Sequence, residues 1–341
     1  MRLLRTFLPL AAAALLLVTL PEAEAEAVAT LKIATVAPEG TPWADGLNQL
    51  KAQVEKDSGG RVAVRTFLGG VLGDENETVQ SVQRGQYQGV GASTGALASI
   101  VPELSVLELP YLFRSAEEAD YVLDKVILTA VEKAFKDHGL ILAFWSENGY
   151  RTFGSNWGPV KSPADLKGRK MRSQESEVHL QMYRSFGASP VPIPVTEVLT
   201  SMQTGVIDGW DNTPLFAFAA QWTSATKFVS LTNHIYQPAA IAYNKAWFES
   251  QPADLQAILL KARTGLAPQM RKEIRALNPI LIQNLSEMKV TVYKPTATEL
   301  AAFEAPAKVA RDTYMAKATA GEKALLAQIV KGIDAYRAGA R

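Results

Sequence analysis

The pattern Q-x-G-x-x-x-G occurs twice in this chain, 120 residues apart, at Gln83–Gly89 and Gln203–Gly209. Each copy follows a segment with helical periodicity and leads into an apolar segment that predicts a strand. A helix that ends at glycine before a buried strand is the repeating unit of an α/β sheet. The repeat therefore predicts two related α/β lobes, although chance or ordinary helix-ending chemistry could also produce so short a match.

The segments around each copy alternate between strand and helix patterns. The first series has strands at 31–37, 61–67, 87–93 and 140–146, with helices that begin at Thr41-Pro42, at Asp74 in a capping-box-like D-x-x-E, and near 116. The second has strands at 150–154 and 169–174 and one ending at Asn212, with helices at 176–186 and after Thr196. Open α/β sheets bind ligands at the carboxyl ends of their strands, so 90–93 and 210–213 should face one cleft.

The rest of the chain predicts elements that complete both lobes. A strand is expected in 238–248, and a long helical stretch at 252–288 should be kinked or broken by its two prolines, Pro268 and Pro279. Residues 298–318 and 321–338 predict two terminal helices. Strands that return this late in the chain would make each lobe discontinuous and the crossings between them a hinge.

The first 27 residues have the features of a secretory signal peptide. A basic start containing Arg2 and Arg5 is followed by an apolar run from Phe7 to Leu20 and by two A-x-A patterns, which place cleavage after Ala25 or Ala27. An apolar run of this length falls short of the roughly 20 residues that span a bilayer. We therefore expect an exported protein.

Composition excludes several classes of protein. The chain has no cysteine, which excludes disulfides, thiolate metal sites, thiol catalysis and a lipid anchor at the end of the signal peptide. Its formal charge of +1 predicts no general attraction to nucleic acid. The three histidines are scattered without metal-ligand spacing, so neither a metal nor a cofactor is expected.

One enzyme motif is present, at Gly91-Ala92-Ser93-Thr94-Gly95, which fits the G-x-S-x-G elbow of serine hydrolases. A triad would need a histidine in a late loop, but His138, His179 and His234 lie at a helix end, inside an amphipathic helix and in a turn. The sequence therefore disfavours a hydrolase that uses Ser93.

Two arginines lie in predicted strands of the second lobe, Arg151 and Arg172. An arginine in a buried strand is costly unless its guanidinium meets a carboxylate or other acceptors. Each arginine could form an internal ion pair or lie on a solvent-facing edge. The alternative is bidentate capture of an organic acid.

Eight segments spread over nearly the whole chain beyond the signal peptide give a family resemblance. They are LKIATVAPEGTPW (31–43), GGVLGDE (69–75), LELPYLF (107–113), DLKGRKMR (165–172), FGASP (186–190), TEV (196–198), QTGVIDG (203–209) and TNH (232–234). In these segments the chain resembles the DctP-like substrate-binding proteins of tripartite ATP-independent periplasmic (TRAP) transporters.

The resemblance implies a type II-like periplasmic-binding-protein fold, an α/β fold of two lobes joined by hinge strands and a long helix. It implies that Arg172 binds the ligand carboxylate, with Arg151 and Asn212 in support. Trp43, Asp74, Ser93, Thr94 and Trp210 complete the candidate ligand-binding set. We expect 28–148 with 237–276 to form lobe I, 149–236 with 277–304 to form lobe II, and 305–341 to pack on both as terminal helices.

The expected function is capture of an organic acid by hinge closure, without catalysis, and delivery to the small and large membrane subunits of a TRAP permease. The receptor itself is expected to be a monomer that binds no nucleic acid. A sensor subunit that hands its ligand to a receptor kinase would share every residue named above and stays open as an alternative.

Overall fold

The computed structural model describes residues 29–340 as a mixed α/β protein built on one sheet. The strands are β1 Ala29–Thr35, β2 Val62–Phe67, β3 Gly89–Ser93, β4 Leu140–Ser155, β5 Lys170–Ser173, β6 Ser189–Pro192, β7 Gly209–Asn212, β8 Phe228–Asn244 and β9 Thr291–Tyr293. The helices are α1 Pro42–Asp57, α2 Glu75–Gln83, α3 Thr94–Leu97, α4 Ala116–Tyr121, α5 Leu128–Asp137, α6 Glu177–Ser185, α7 Val198–Gln203, α8 Pro214–Ala219, α9 Lys245–Glu249, α10 Ala253–Leu260, α11 Leu266–Glu287, α12 Ala297–Ala301, α13 Glu304–Lys317 and α14 Ala320–Arg337.

The order of the strands separates the sheet into two lobes. It runs β2-β1-β3-β8-β4-β7-β5-β6, with β9 added beside β8. The first lobe holds β1, β2 and β3 with α1 to α5, and the second holds β5, β6 and β7 with α6 to α8. In each lobe the outer strands are parallel to one another, as expected of successive strand–helix–strand units.

Two long antiparallel strands, β4 and β8, run through both lobes. In the first lobe β3 pairs with the 239–243 part of β8, and in the second β7 pairs with the 152–155 part of β4. The register of β4 against β8 shifts three times, at Leu142/Phe144, Glu147/Gly149 and Arg151/Phe153, and the middle shift falls between these two parts. The irregular crossing lies between the lobes, which is where a hinge is required.

The sheet carries a hydrophobic core on each face in the first lobe. Leu142 packs with the α5 side chain Phe135, while its neighbour Ile141 packs with the α1 side chain Leu50. Adjacent residues of a strand point to opposite faces, so helices cover both sides. The second lobe has two clusters of its own, around Trp210 and around Phe153.

Helix α11 joins the two lobes. Its Met270 packs in a first-lobe cluster, and Leu281 and Leu285 pack in a second-lobe cluster. Of the two outcomes expected at Pro279, a kink or a break, the break is wrong, because the helix continues through that residue. The break comes before α11, between α10 and Leu266, and Pro268 lies in the first turn, where a missing N–H costs no hydrogen bond.

The structure also corrects three strand predictions. The segments 140–146 and 150–154 form one strand, β4, and β8 begins at Phe228, well before the expected segment 238–248. Strand β6 was not predicted, since it holds Pro190 and Pro192. It pairs with β5 alone at the end of the sheet, where proline is tolerated.

The signal peptide predicted at 1–27 lies outside the described residues. Among residues 29–340, no helix combines the length and the apolar character needed to cross a membrane.

Candidate ligand-binding cleft

The carboxyl ends of strands from the two lobes face each other across one gap. β3 ends at Ser93 in the first lobe, and β5 and β7 end at Ser173 and Asn212 in the second. Gln174, which follows β5, donates from Nε2 to Ser93 Oγ at 3.0 Å. We call this gap the cleft.

Two more hydrogen bonds cross the cleft at its edge. The backbone N–H of Val195 donates to Asp74 Oδ1 at 2.9 Å, and Asn76 Nδ2 donates to Glu175 Oε2 at 3.0 Å. Asp74 was expected to cap α2, but its side chain makes no cap hydrogen bond and instead accepts from the second lobe. The lobes are thus in contact across the cleft, and the contact encloses it.

Arg172 is a buried cation without an anionic partner. Its side chain lies at the end of β5 and is 3% exposed. Within residues 29–340 its guanidinium makes one hydrogen bond, from Nε to Ile193 O at 2.9 Å, and forms no salt bridge. Burial, followed by the positive charge of Arg151, lowers its pKa. Buried charges are ordinarily paired, so this guanidinium has capacity for an anion.

Arg151, in contrast, is fully paired within the protein. Its Nε donates to Asp211 Oδ2 and its Nη2 to Asp211 O, both at 2.6 Å, and its Nη1 donates to Gln237 Oε1 at 2.7 Å. All three side chains are buried. Of the two strand arginines, Arg151 therefore forms an internal ion pair and Arg172 does not.

Asp211 is the centre of this polar cluster. Besides Arg151 it accepts from Tyr183 Oη at 2.9 Å and lies 3.3 Å from His234 Nε2. Burial alone would raise its pKa, but Arg151 and the two neighbouring histidines hold that pKa well below the usual range. The carboxylate is therefore ionised over the whole physiological range.

A second buried ion pair links the lobes directly. Glu108 ends a 3-10 turn of the first lobe, His179 lies in α6 of the second, and their Oε2 and Nε2 atoms are 2.6 Å apart. Thr94 Oγ1 and Gln237 Nε2 also donate to Glu108, at 2.7 and 2.9 Å. Burial would lower the pKa of His179, but the carboxylates of Asp211 and Glu108 outweigh it and raise that pKa.

This pair predicts a dependence of stability on pH. The raised pKa of His179 stabilises the fold fully below the unfolded value of about 6.5, and the contribution is lost as pH rises through the folded pKa. The urea midpoint of wild type should therefore exceed that of His179→Gln by more near pH 6 than near pH 9. The same substitution at His138, which is partly exposed, is the control and should change little. An equal difference at both pH values would contradict the prediction.

The remaining candidates have different environments. Asn212 is buried and its Oδ1 accepts from Thr213 N, while its Nδ2 donates to no group of the described chain. Ser93 donates from both N and Oγ to Glu75, at 2.8 and 2.9 Å. The Thr94 hydroxyl is already bonded to Glu108, so among the described residues Asn212 is the one of these three whose side chain keeps an unused donor.

The two tryptophans of the candidate set lie in different places. Trp210 is fully buried, donates from Nε1 to Thr226 Oγ1 at 2.9 Å and packs edge-on against Trp222, so it supports the site from the core. Trp43 donates to Glu147 O at 2.8 Å and packs against Phe216 of the second lobe, and both rings line a small cavity of about 40 Å³.

The serine-hydrolase alternative has no base in this structure. His179 is bonded to Glu108, His234 to Thr232 and Asp211, and His138 lies beside Glu103. These are all the histidines of the sequence, and none bonds Ser93. Nor does any cluster of three potential metal ligands occur among the described residues.

A family comparison agrees with this architecture. The family described as bacterial extracellular solute-binding protein, family 7 (DctP), matches residues 33–318. The chain belongs to this family. Its members are periplasmic solute-binding components of transport systems.

Individual relatives give the same result. A solute-binding protein of Verminephrobacter eiseniae is 36% identical over 71% of this chain and 73% of its own. The C4-dicarboxylate-binding periplasmic protein DctP of Rhodobacter capsulatus is 30% identical over 80% and 83%. A TRAP periplasmic solute-binding protein of Bordetella, with density assigned to pantoate, is 30% identical, with a TM-score of 0.82 over 89% and 98%. The two-lobe fold of these proteins is the fold predicted from the sequence.

Sequence reasoning missed several residues of the cleft, chiefly Glu108, His179, Asp211 and Glu75. Glu108 could have been found, because an acid inside the apolar run VLELPYLF has to be paired if that run is buried. His179 was noted inside an amphipathic helix, but its partner lies 71 residues away and no local pattern indicates it.

Proposed function

We propose that this chain captures an organic acid in the periplasm by closure of its lobes and delivers it to a TRAP permease, with Arg172 as the carboxylate-binding residue. The observation that carries the proposal is the buried, unpaired guanidinium of Arg172 at the end of β5. A carboxylate would supply the missing charge and accept two parallel N–H donors. Asn212 Nδ2 would add a third donor.

Arg151 has a supporting role in this proposal. Its donors are occupied by Asp211 and Gln237, so they are not available to the ligand. Arg151 would support the site by holding these two buried side chains in place. Trp210 supports the site in the same indirect way, through its contact with Trp222, whose ring lies 5.6 Å from the Arg172 guanidinium carbon.

The relatives support an acid as ligand. The Bordetella protein is described with pantoate, and a TRAP solute-binding protein of Polaromonas, 27% identical, is described with D-erythronate. Both molecules are carboxylates. The same proposal includes export through the predicted signal peptide and a monomeric receptor that neither catalyses a reaction nor binds nucleic acid. It also places the lobe boundaries at residues 148/149 and 236/237.

The experiment is a thermal-shift screen of the protein without residues 1–27 against carboxylates and their uncharged amides. A ligand that binds only the folded state stabilises it by about 2.7 kcal/mol at a concentration of 100 Kd. At least one acid should raise the midpoint and its amide should not. If no acid in a panel of monoacids, diacids and sugar acids raises the midpoint, the proposed function is wrong.

A further inference from the structure

The side chain of Gln174 lies between the two lobes. The residue follows β5, two positions after Arg172, and is 7% exposed. Its Nε2 donates to Ser93 Oγ of the first lobe at 3.0 Å, and its Oε1 accepts from Gln237 Nε2 of β8 at 2.9 Å. Both polar atoms of this buried amide are therefore bonded, and one of the two bonds crosses the cleft.

Arg151 fixes the direction of these hydrogen bonds. A guanidinium can only donate, so Gln237 accepts from Arg151 Nη1 with its Oε1, at 2.7 Å, and must present its amide N–H to Gln174. Gln174 in turn presents its own N–H to Ser93, whose Oγ donates to Glu75 Oε2 at 2.9 Å. A continuous chain of hydrogen bonds thus runs from Arg151 to Glu75, and Gln174 supplies the bond that crosses the cleft.

The first lobe has room for this side chain because residue 95 is glycine. A Cβ atom at Gly95 would lie 2.6 Å from Gln174 Nε2 and 2.8 Å from Glu108 Oε2, closer than real Cβ atoms approach their neighbours. The Glu108 carboxylate cannot move aside freely, because side chains of both lobes bond it. Gly95 therefore leaves the space that Gln174 occupies when the lobes are in contact. We call Ser93, Gly95 and the Glu108 carboxylate the socket.

The socket accounts for the G-x-S-x-G motif at 91–95. The serine of the motif accepts from Gln174, and its last glycine leaves room for the same amide. Ser93 also accepts from Ala96 N at 3.3 Å as the N-cap of α3, which holds its hydroxyl in place. The motif therefore forms a surface that receives the other lobe, and neither residue has to serve as part of a nucleophile elbow.

We infer that Gln174 is a positioning residue that holds the lobes closed over the bound acid by inserting its amide into the socket. The inference rests on the proposed function, because closure of the lobes is what retains the acid. When the lobes are apart, water bonds the amide and the Ser93 hydroxyl. When they close, both groups are buried and depend on protein partners, so the closed arrangement requires this contact.

The test is Gln174→Met, which removes both hydrogen bonds of the amide and keeps a side chain of similar length. The change leaves Gln237 Nε2 and Ser93 Oγ each one partner short in a buried site. Calorimetric titration with the acid that gives the largest thermal shift should therefore show binding weakened by about 5- to 150-fold. Stopped-flow measurements should place the loss in the dissociation rate, because the open cleft admits the acid as before.

Further measurements separate a role in closure from a merely structural one. Asn76→Ala removes a solvent-facing hydrogen bond across the cleft, to Glu175, and should change the affinity by less than about twofold, since water replaces it. Ser93→Ala added to Gln174→Met should weaken binding little beyond Gln174→Met alone, because both changes remove the same bond. The ligand-free Gln174→Met protein should keep the wild-type urea midpoint, since open lobes leave this side chain in water.

The outcomes separate the two proposals. If Gln174→Met binds the acid as tightly as wild type while Arg172→Ala does not, this inference is wrong and the proposed function stands. If no acid binds to the wild-type protein, both are wrong. Additive effects of Ser93→Ala and Gln174→Met, or a loss of affinity confined to the association rate, would also overturn the role of Gln174 in closure. So would a large fall in the urea midpoint of the ligand-free Gln174→Met protein.

Discussion

Replacement of Arg172 by alanine is expected to weaken binding of the cognate acid by roughly 30- to several-thousand-fold. Removal of one member of a buried, hydrogen-bonded charge pair costs about 2–5 kcal/mol, much of it because the partner's charge stays buried and unpaired. Arg172→Lys should also bind poorly, since an ammonium group cannot reproduce the planar pair of donors. The measurement is calorimetric titration with the acid that gives the largest thermal shift.

The matched control lies two residues away in the same strand. Lys170 carries the same charge but is exposed, so Lys170→Ala should bind the acid as wild type does. The ligand-free Arg172→Ala protein should keep most of its stability, because the residue removed forms no salt bridge in the described structure. Normal binding by Arg172→Ala would refute the assignment of this residue.

Replacement of Asp211 by asparagine is expected to lower the free energy of unfolding by about 3–5 kcal/mol, because it leaves the Arg151 charge buried without its partner. Asp211 is fully buried and accepts from both Arg151 and Tyr183. The loss should appear in urea unfolding of the ligand-free protein. Asp211→Asn is thus expected to act mainly on stability, whereas Arg172→Ala should affect binding far more than stability.

An exposed ion pair serves as the control for Asp211. Lys133 and Asp137 form a pair one turn apart on α5, and both side chains are largely exposed. Asp137→Asn should leave the urea midpoint unchanged, since water screens such pairs. If Asp211→Asn were as stable as Asp137→Asn, the Arg151–Asp211 pair would not be structural.

Local sequence patterns predicted some features of the cleft and missed others. The β3 and β7 segments could be placed on one cleft because glycine and apolar periodicity mark where each helix ends and each strand begins. Asp74 was predicted to cap α2, and its bond to Val195 of the other lobe could not be foreseen, since the two residues are 121 apart. A cap is a local interaction, whereas a contact between lobes depends on how they dock.

The long strands show a second limit. β4 was predicted as two strands because Asn148-Gly149 interrupts its apolar pattern. In the structure a register shift occurs at that interruption, at Glu147/Gly149, and β8 pairs with β4 on both sides of it. Pairing with a distant strand therefore kept the segment extended where the local sequence favoured a turn.

By itself, the sequence determined the two related α/β lobes, the strand ends that face the cleft and the two strand arginines as candidates, since all of these follow from short-range periodicity and residue chemistry. The tertiary structure decided which arginine is free. Arg151 pairs with Asp211, 60 residues away, while among the described residues Arg172 hydrogen-bonds only a backbone carbonyl. The physical reason is that the cost of a buried charge depends on its neighbours in space, and those neighbours come from distant parts of the chain.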